Sequence, residues 1–243
     1  MNLDIPRLRM FAGPNGSGKS TIKEIISKEL LGIYINPDEI EKEIKQYDFL
    51  DFDHYNIQAT EEEVLDFFTT STLLEKADML DEAQWLKFND NKLSFFEISI
   101  NSYFASVCAD FIRKKLLESR KTFTFETVMS SPDKIELLSL AQKLGYKTYL
   151  YYIATNDPII NLSRVENRVK QGGHTVPKDK IISRYYRSLD LLIEAVKHTN
   201  RAYIFDNSNH NRSWLCEITD GKDVELKQDV VPKWFHESFI KKL

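Results

Sequence analysis

The run Gly13, Pro14, Asn15, Gly16, Ser17, Gly18, Lys19, Ser20 carries the most explicit chemistry in this sequence. It satisfies G-x-x-x-x-G-K-[ST] at every fixed position, with Thr21 directly after it. Glycines let a backbone wrap closely around an anion with its N–H groups inward, and a helix beginning at the end of the loop adds positive potential. Lys19 supplies a cation for the β and γ phosphates, and the Ser20 hydroxyl is a ligand for Mg2+. Residues 13–21 are therefore the expected nucleotide site, with ATP and Mg2+ as the expected cofactors.

Other motifs narrow the class of nucleotide chemistry. An N-K-x-D base-recognition string and a D-x-x-G switch are absent from the sequence, which argues against a GTPase. A motor ATPase calls for an apolar strand ending in Asp-Glu, whereas Ala202-Tyr-Ile-Phe-Asp206 continues as Asn207-Ser208. What remains is a small kinase, in which a carboxylate takes the proton of an acceptor hydroxyl in line with the γ phosphate. Asp38 follows the second apolar run at a helix start, on the rim where such a group belongs. An aspartate there also serves as a plain helix N-cap, and position alone leaves both readings open.

The elements that must position these groups read as alternating strands and helices. Leu8 to Ala12 is a strand that runs through the loop into a helix over Lys19 to Leu31. Ile33 to Ile35 and a helix over Asp38 to Gln46 follow, then a stretch without glycine, 47–98, with helical periodicity in Glu61 to Phe68 and Leu73 to Trp85. The alternation resumes with a helix over Ser99 to Ser119, a strand over Thr122 to Phe125, and a helix over Pro132 to Leu144 closed by Gly145. Lys147 to Ala154 is the fourth strand and Ala202 to Phe205 the fifth, separated by helices over Pro158 to Lys170 and Lys178 to His198. Trp214 to Thr219 and Val224 to Leu226 form a hairpin about Asp220-Gly221, before a short helix from Pro232.

This pattern predicts one α/β domain over 1–243, a P-loop NTPase three-layer fold. Its five-stranded, mainly parallel sheet should have the adenylate/shikimate-kinase-like order 2-3-1-4-5, with a helical insertion over 47–98 and a C-terminal β-hairpin and helix over 213–243. Ligands in such folds gather beyond the C-terminal ends of the strands, here after Ala12, Ile35, Phe125, Ala154 and Phe205. The helix before residue 171 places Arg164 and Arg168 on one face at i, i+4 spacing, suited to charge on a transferring phosphoryl group, with Arg168 the preferred cation. Residues 171–178, with two glycines, His174 and Pro177, read as a lid loop.

Composition is that of a soluble globular chain: 243 residues, 42% hydrophobic, 29% charged and 12% aromatic. A net charge of -4 gives no electrostatic reason to expect nucleic acid as a partner. Cys108 and Cys216 stand far apart without metal-ligand spacing, and no run of eighteen apolar residues or signal-peptide core occurs, so a cytoplasmic location without membrane association is expected.

The phosphate loop, Tyr34-Ile-Asn-Pro-Asp-Glu-Ile40, Phe125-Glu-Thr-Val-Met-Ser130, Arg164 with Arg168, Gly172-Gly-His-Thr-Val-Pro177 and Asp206-Asn-Ser208 together resemble the zeta-toxin-like P-loop kinases. The match in order and spacing covers most of the chain apart from the insertion and the tail. The resemblance implies that Asp38 is the general base and that Glu126 and Thr127 contact the acceptor, a nucleotide-activated sugar such as UDP-N-acetylglucosamine. It also implies an antitoxin protein as partner. Where toxins of the family place a second arginine this sequence has His174, only partly cationic near neutral pH, and Arg184 is positioned to compensate. By the same analogy Asn207 lies near the adenine, or else merely stops its strand. The insertion keeps two alternatives open: a kinase for another hydroxylated metabolite or an antibiotic, or a nucleotide-binding interaction protein whose Phe49, Phe52, Tyr55, Phe67, Phe68 and Trp85 form an interface rather than a core.

Overall fold

The structure is a computed structural model, and it describes residues 5–173 and 175–243. In chain order it begins with β1 (Arg7–Ala12), a 3₁₀ helix (Lys19–Ile25), α1 (Lys28–Leu31), β2 (Ile33–Ile35) and α2 (Pro37–Tyr47). Next come β3 (Phe49–Asp51), α3 (Glu61–Thr69), α4 (Thr72–Glu75), α5 (Leu80–Ala83), β4 (Lys87–Asn89), β5 (Lys92–Ser94) and α6 (Ser102–Glu118). The remainder is β6 (Phe123–Thr127), α7 (Asp133–Lys143), β7 (Lys147–Ala154), α8 (Pro158–Lys170), α9 (Lys178–Asp190), α10 (Leu192–Lys197), β8 (Arg201–Asp206), β9 (Ser213–Thr219), β10 (Asp223–Leu226) and α11 (Lys233–Ser238). The chain divides into two compact units, 1–32 with 124–243, and 33–123.

The first unit is a mixed α/β structure around a mainly parallel sheet whose strands pair in the order β10-β9-β8-β7-β1-β6. This contains the expected 3-1-4-5 sequence of strands, extended by the antiparallel hairpin. β7 is parallel to both β1 and β8, with Met10 opposite Leu150 and Tyr152 opposite Ile204. Strands this apolar form because both faces find cover. Leu8, Met10, Leu150, Tyr152 and Ile204 are buried, and the Tyr152 hydroxyl meets Ser188 Oγ of α9 at 3.0 Å. Trp234 of α11 packs near the Tyr152 ring at 6.2 Å between centroids. At the hairpin turn Asp220 and Gly221 both have positive φ (49° and 66°), the backbone that an Asp-Gly pair supplies readily.

Two expected helices are interrupted. The helix over Lys19 to Leu31 is instead a 3₁₀ helix, an extended Ile26 and the short α1. Thr21 Oγ1 donates to the Gly18 carbonyl at 2.7 Å, competing locally with α-helical bonding, and the β-branched residues Thr21, Ile22, Ile25 and Ile26 lower helix propensity further. The helix over Lys178 to His198 parts into α9 and α10 at Leu191, where the backbone stays near helical (φ −83°, ψ −7°).

The second unit holds α2, α3 and α6 with β2, and it contains the region 47–98. That region has helices, as periodicity implies, and also a three-stranded antiparallel sheet in the order β3-β5-β4 that the sequence reading lacked. Its strands are three residues long, too short for a period-two signal, and β4 and β5 join through Asp90 and Asn91, both at positive φ. A capping box between Thr60 and Glu63 starts α3. Phe52, Tyr55 and Phe68 are buried, Phe52 stacks on Phe111 at 5.4 Å, and Phe67 meets Phe111 edge-on at 5.2 Å. Core packing therefore accounts for these aromatics, while Trp85 stays 60% exposed. Among the described residues no helix is long and apolar enough to cross a membrane.

Candidate functional site

At the end of β1 the chain enters the phosphate loop, whose carbonyl groups are gripped by side chains. Lys19 Nζ donates to the carbonyls of Gly13 (2.9 Å) and Pro14 (3.0 Å). Asn161 of α8 donates through Nδ2 to the Asn15 carbonyl at 2.5 Å, and Asn207, just past β8, donates through Nδ2 to the Ser17 carbonyl at 2.8 Å. Two glycines permit this approach. Gly16 has φ 72°, and a Cβ there would stand 2.6 Å from the Asn161 carbonyl oxygen; Gly18 has φ 98°, and a Cβ there would stand 2.4 Å from Asn207 Nδ2. Arg212 reaches the same loop, donating from Nη1 to Thr21 Oγ1 at 3.0 Å.

A buried polar chain stands behind Asn161. Thr155 Oγ1 donates to Asn161 Oδ1, and the Tyr185 hydroxyl of α9 donates to the Thr155 carbonyl at 2.6 Å. Burial raises the Tyr185 pKa well above its ordinary value, so this hydroxyl keeps its proton to donate. Behind Asn207, Asp206 accepts from Ser208 Oγ (2.7 Å) and from Trp234 Nε1 (2.7 Å), and Ser208 Oγ accepts from the Asn156 N–H at 2.8 Å. Buried polar groups satisfied in this way fix one arrangement of their side chains.

Ser20 Oγ donates to Glu126 Oε2 at 3.2 Å, so a hydroxyl and a carboxylate meet beside the loop. Glu126 is the penultimate residue of β6 and is 6% exposed, and Thr127 Oγ1 next to it accepts from the Met129 N–H at 3.0 Å. Hard oxygen donors of this kind suit Mg2+. On the other flank, Arg164, Thr21, Asn207, Ser208 and Arg212 line a polar cavity of about 840 Å³. Arg164 Nη1 is buried there and has no hydrogen-bond partner among the described residues, a feature that suits an anionic or polar ligand.

The structure thus brings the loop, Thr21, Glu126, Arg164 and Asn207 together in the first unit. Arg168 lies one turn beyond Arg164 on α8, and its carbonyl accepts from the Gly173 N–H at 2.9 Å; Arg184 is half-buried on α9. Lys178 and Glu166 pair at 2.8 Å from either side of residues 171–177. His174 lies outside the described residues. Asp38 belongs to α2 of the second unit, and the N-cap reading of it does not hold: Asn36 is the cap, its Oδ1 accepting the Asp38 N–H at 2.9 Å, and Asp38 is an exposed residue of the first turn. Asn207 also does more than stop a strand, because its amide holds the loop. Asn161, Thr155 and Arg212 were not singled out from sequence. Their only local signal is an asparagine inside the helix that follows Pro158, a position where that residue gains little from the helix itself.

A family model described as Zeta toxin matches residues 99–218. The match spans just under half of the chain, and over those residues the chain is similar to the zeta toxins. A protein of Haemophilus influenzae is 36% identical over 63 residues, 26% of this chain and 45% of that protein. The solved complex AvrRxo1-ORF1:AvrRxo1-ORF2 with sulphate ions has a chain similar to this one at a TM-score of 0.54 and 14% identity, covering 94% of this chain and 62% of that one. The structure of the PezAT chromosomal toxin-antitoxin system of Streptococcus pneumoniae is similar at a TM-score of 0.52 and 16% identity, covering 99% of this chain and 80% of that one. At these identities the structural likeness is one of fold, and this chain spans less than two thirds of the Haemophilus protein and of the AvrRxo1 chain.

Proposed function

We propose that this zeta-toxin-like chain is an ATP-dependent kinase that transfers the γ phosphate to a hydroxyl of a small acceptor. The observation that carries the reading is the phosphate loop, held by side chains on its carbonyl side, with the Ser20 and Glu126 pair beside it. The loop N–H groups and Lys19 bind the polyphosphate and neutralise its charge. Ser20, with Glu126 next to it, would hold Mg2+, and the ion would supply positive charge to the phosphate oxygens. Arg168, supported by Arg164 and Arg184, meets the charge that develops during transfer. The acceptor oxygen forms a bond to the γ phosphorus, the bond to the bridging oxygen of the departing ADP breaks, and the hydroxyl proton passes to Asp38. Family resemblance supports the role of Asp38, as it supports Glu126 and Thr127 as acceptor contacts, His174 as a lid residue and a UDP-activated amino sugar as acceptor, while the spacing of Cys108 and Cys216, which suits a reducing compartment, supports a cytoplasmic site of action. The likeness to PezAT, a toxin-antitoxin system, supports an antitoxin protein as partner.

The test is ADP release and acceptor mass gain with ATP, Mg2+ and UDP-N-acetylglucosamine, followed by a metabolite extract as a pool of other acceptors. Asp38→Asn should lower turnover by about a hundredfold or more while ATP affinity is kept. Equal turnover by Asp38→Asn and the parent protein removes Asp38 as base. ATP binding without transfer to any acceptor favours a nucleotide-binding interaction protein instead.

A further inference from the structure

Asn161 and Asn207 stand on different elements, yet they do the same thing to the phosphate loop. Each donates its side-chain amide to a loop carbonyl, Asn161 to Asn15 and Asn207 to Ser17. Among the described residues there are no cis peptide bonds, and a trans peptide directs its C=O and N–H to opposite sides. Holding the Asn15 carbonyl outward therefore turns the Gly16 N–H the other way, and holding the Ser17 carbonyl outward does the same to the Gly18 N–H. The Asn207 amide lies where the loop has Gly18, and the backbone carbonyl of Asn161 lies where it has Gly16, so a side chain at either position would push that asparagine away.

We infer that Asn161 and Asn207 are positioning residues that aim the Gly16 and Gly18 N–H groups at the polyphosphate of the bound nucleotide. The inference rests on the kinase reading only in needing the loop to bind phosphate. Both asparagines are themselves held. Asn161 is fully buried, with Oδ1 occupied by Thr155, which leaves its amide aimed at Asn15. Asn207 follows Asp206, which is fixed by Ser208 and by the Trp234 indole, and its own N–H donates to the Ala154 carbonyl at 2.8 Å. This assigns Asn207 a target different from the adenine.

Calorimetric titration of the full chain with ATP, inorganic tripolyphosphate and adenosine separates the two roles. For Asn207→Ala and Asn161→Ser, the Kd of ATP and of tripolyphosphate should rise together by about three- to tenfold, and by more in the double variant, with adenosine binding unchanged. Loss of adenosine binding in Asn207→Ala with tripolyphosphate unaffected makes Asn207 a base contact and overturns the inference. Unchanged tripolyphosphate affinity in both variants also overturns it. Failure of the parent protein to bind tripolyphosphate or ATP instead overturns the phosphate-loop reading beneath it. Melting curves verify folding, and Asn207→Ala, at a half-buried position, keeps the test open where the fully buried Asn161 variant does not fold.

Discussion

Gly16→Ala is a sharp test of how tightly α8 is pressed on the phosphate loop. The added Cβ would stand 2.6 Å from the Asn161 carbonyl oxygen, 3.2 Å from its Cα and 3.2 Å from Val165 Cγ2, on a backbone with φ 72°. Relief to an ordinary contact requires the loop and the helix to part by roughly half an ångström, in a region packed too closely to yield freely. An alanine in the left-handed region adds about 1–2 kcal/mol, and overpacking adds about 1–3 kcal/mol. A loss of about 2–5 kcal/mol in a chain of this size lowers the melting temperature by on the order of 10 °C. The same shift stretches the bond from Asn161 to the Asn15 carbonyl, so ATP affinity should fall by roughly tenfold or more. Differential scanning calorimetry and nucleotide titration on one preparation measure both effects. A variant that melts with the parent protein and binds ATP as tightly refutes the packing argument and, with it, the idea that this helix braces the loop.

Three further outcomes follow from the same geometry. Trp234→Phe removes the indole donor from Asp206 and should destabilise the protein by about 1–3 kcal/mol, read as a lower melting temperature, because a buried carboxylate loses a partner. Cys108 and Cys216 are buried, and burial pushes their thiols up, Cys216 to about 12, so alkylation by iodoacetamide at neutral pH should await denaturant, as mass spectrometry would show. In the second unit, the Thr60 N–H and Lys115 hold the Glu63 carboxyl below its ordinary 4.5. Its contribution is therefore present above that value and lost as pH falls through the lowered one. Glu63→Gln should be less stable than the parent by up to about 0.5 kcal/mol at neutral pH after solvent screening, and the gap in urea midpoints should close in acid.

The parts of the fold legible in the sequence were those with their own local signal. The eight-residue β7 is found within its expected bounds, the hairpin turns at Asp220-Gly221, and the phosphate loop follows its motif residue by residue. The break after Ile25 was not legible, since it depends on how Thr21 bonds to Gly18 and how Ile22 is buried, neither of which periodicity records. Strands of three residues gave no alternation to read. Two groups behind the loop escaped for a related reason: Asn161 and Arg212 act on partners 146 and 191 positions away, and only the fold brings them near. Arg164 and Asn207, both singled out from the sequence, lie beside the loop, and the Asn207 amide is directed at the Ser17 carbonyl.

The indole of Trp234 gives the far end of the chain a stake in the nucleotide site. From α11 it anchors Asp206, whose neighbour Asn207 grips the loop, while Phe235 and Phe239 seal the same helix into the core. A truncation before Pro232, or a fusion that pries α11 loose, would thus be felt some two hundred residues earlier, at Ser17. Anyone trimming this protein for crystallisation or tagging it for capture should leave that terminal helix seated.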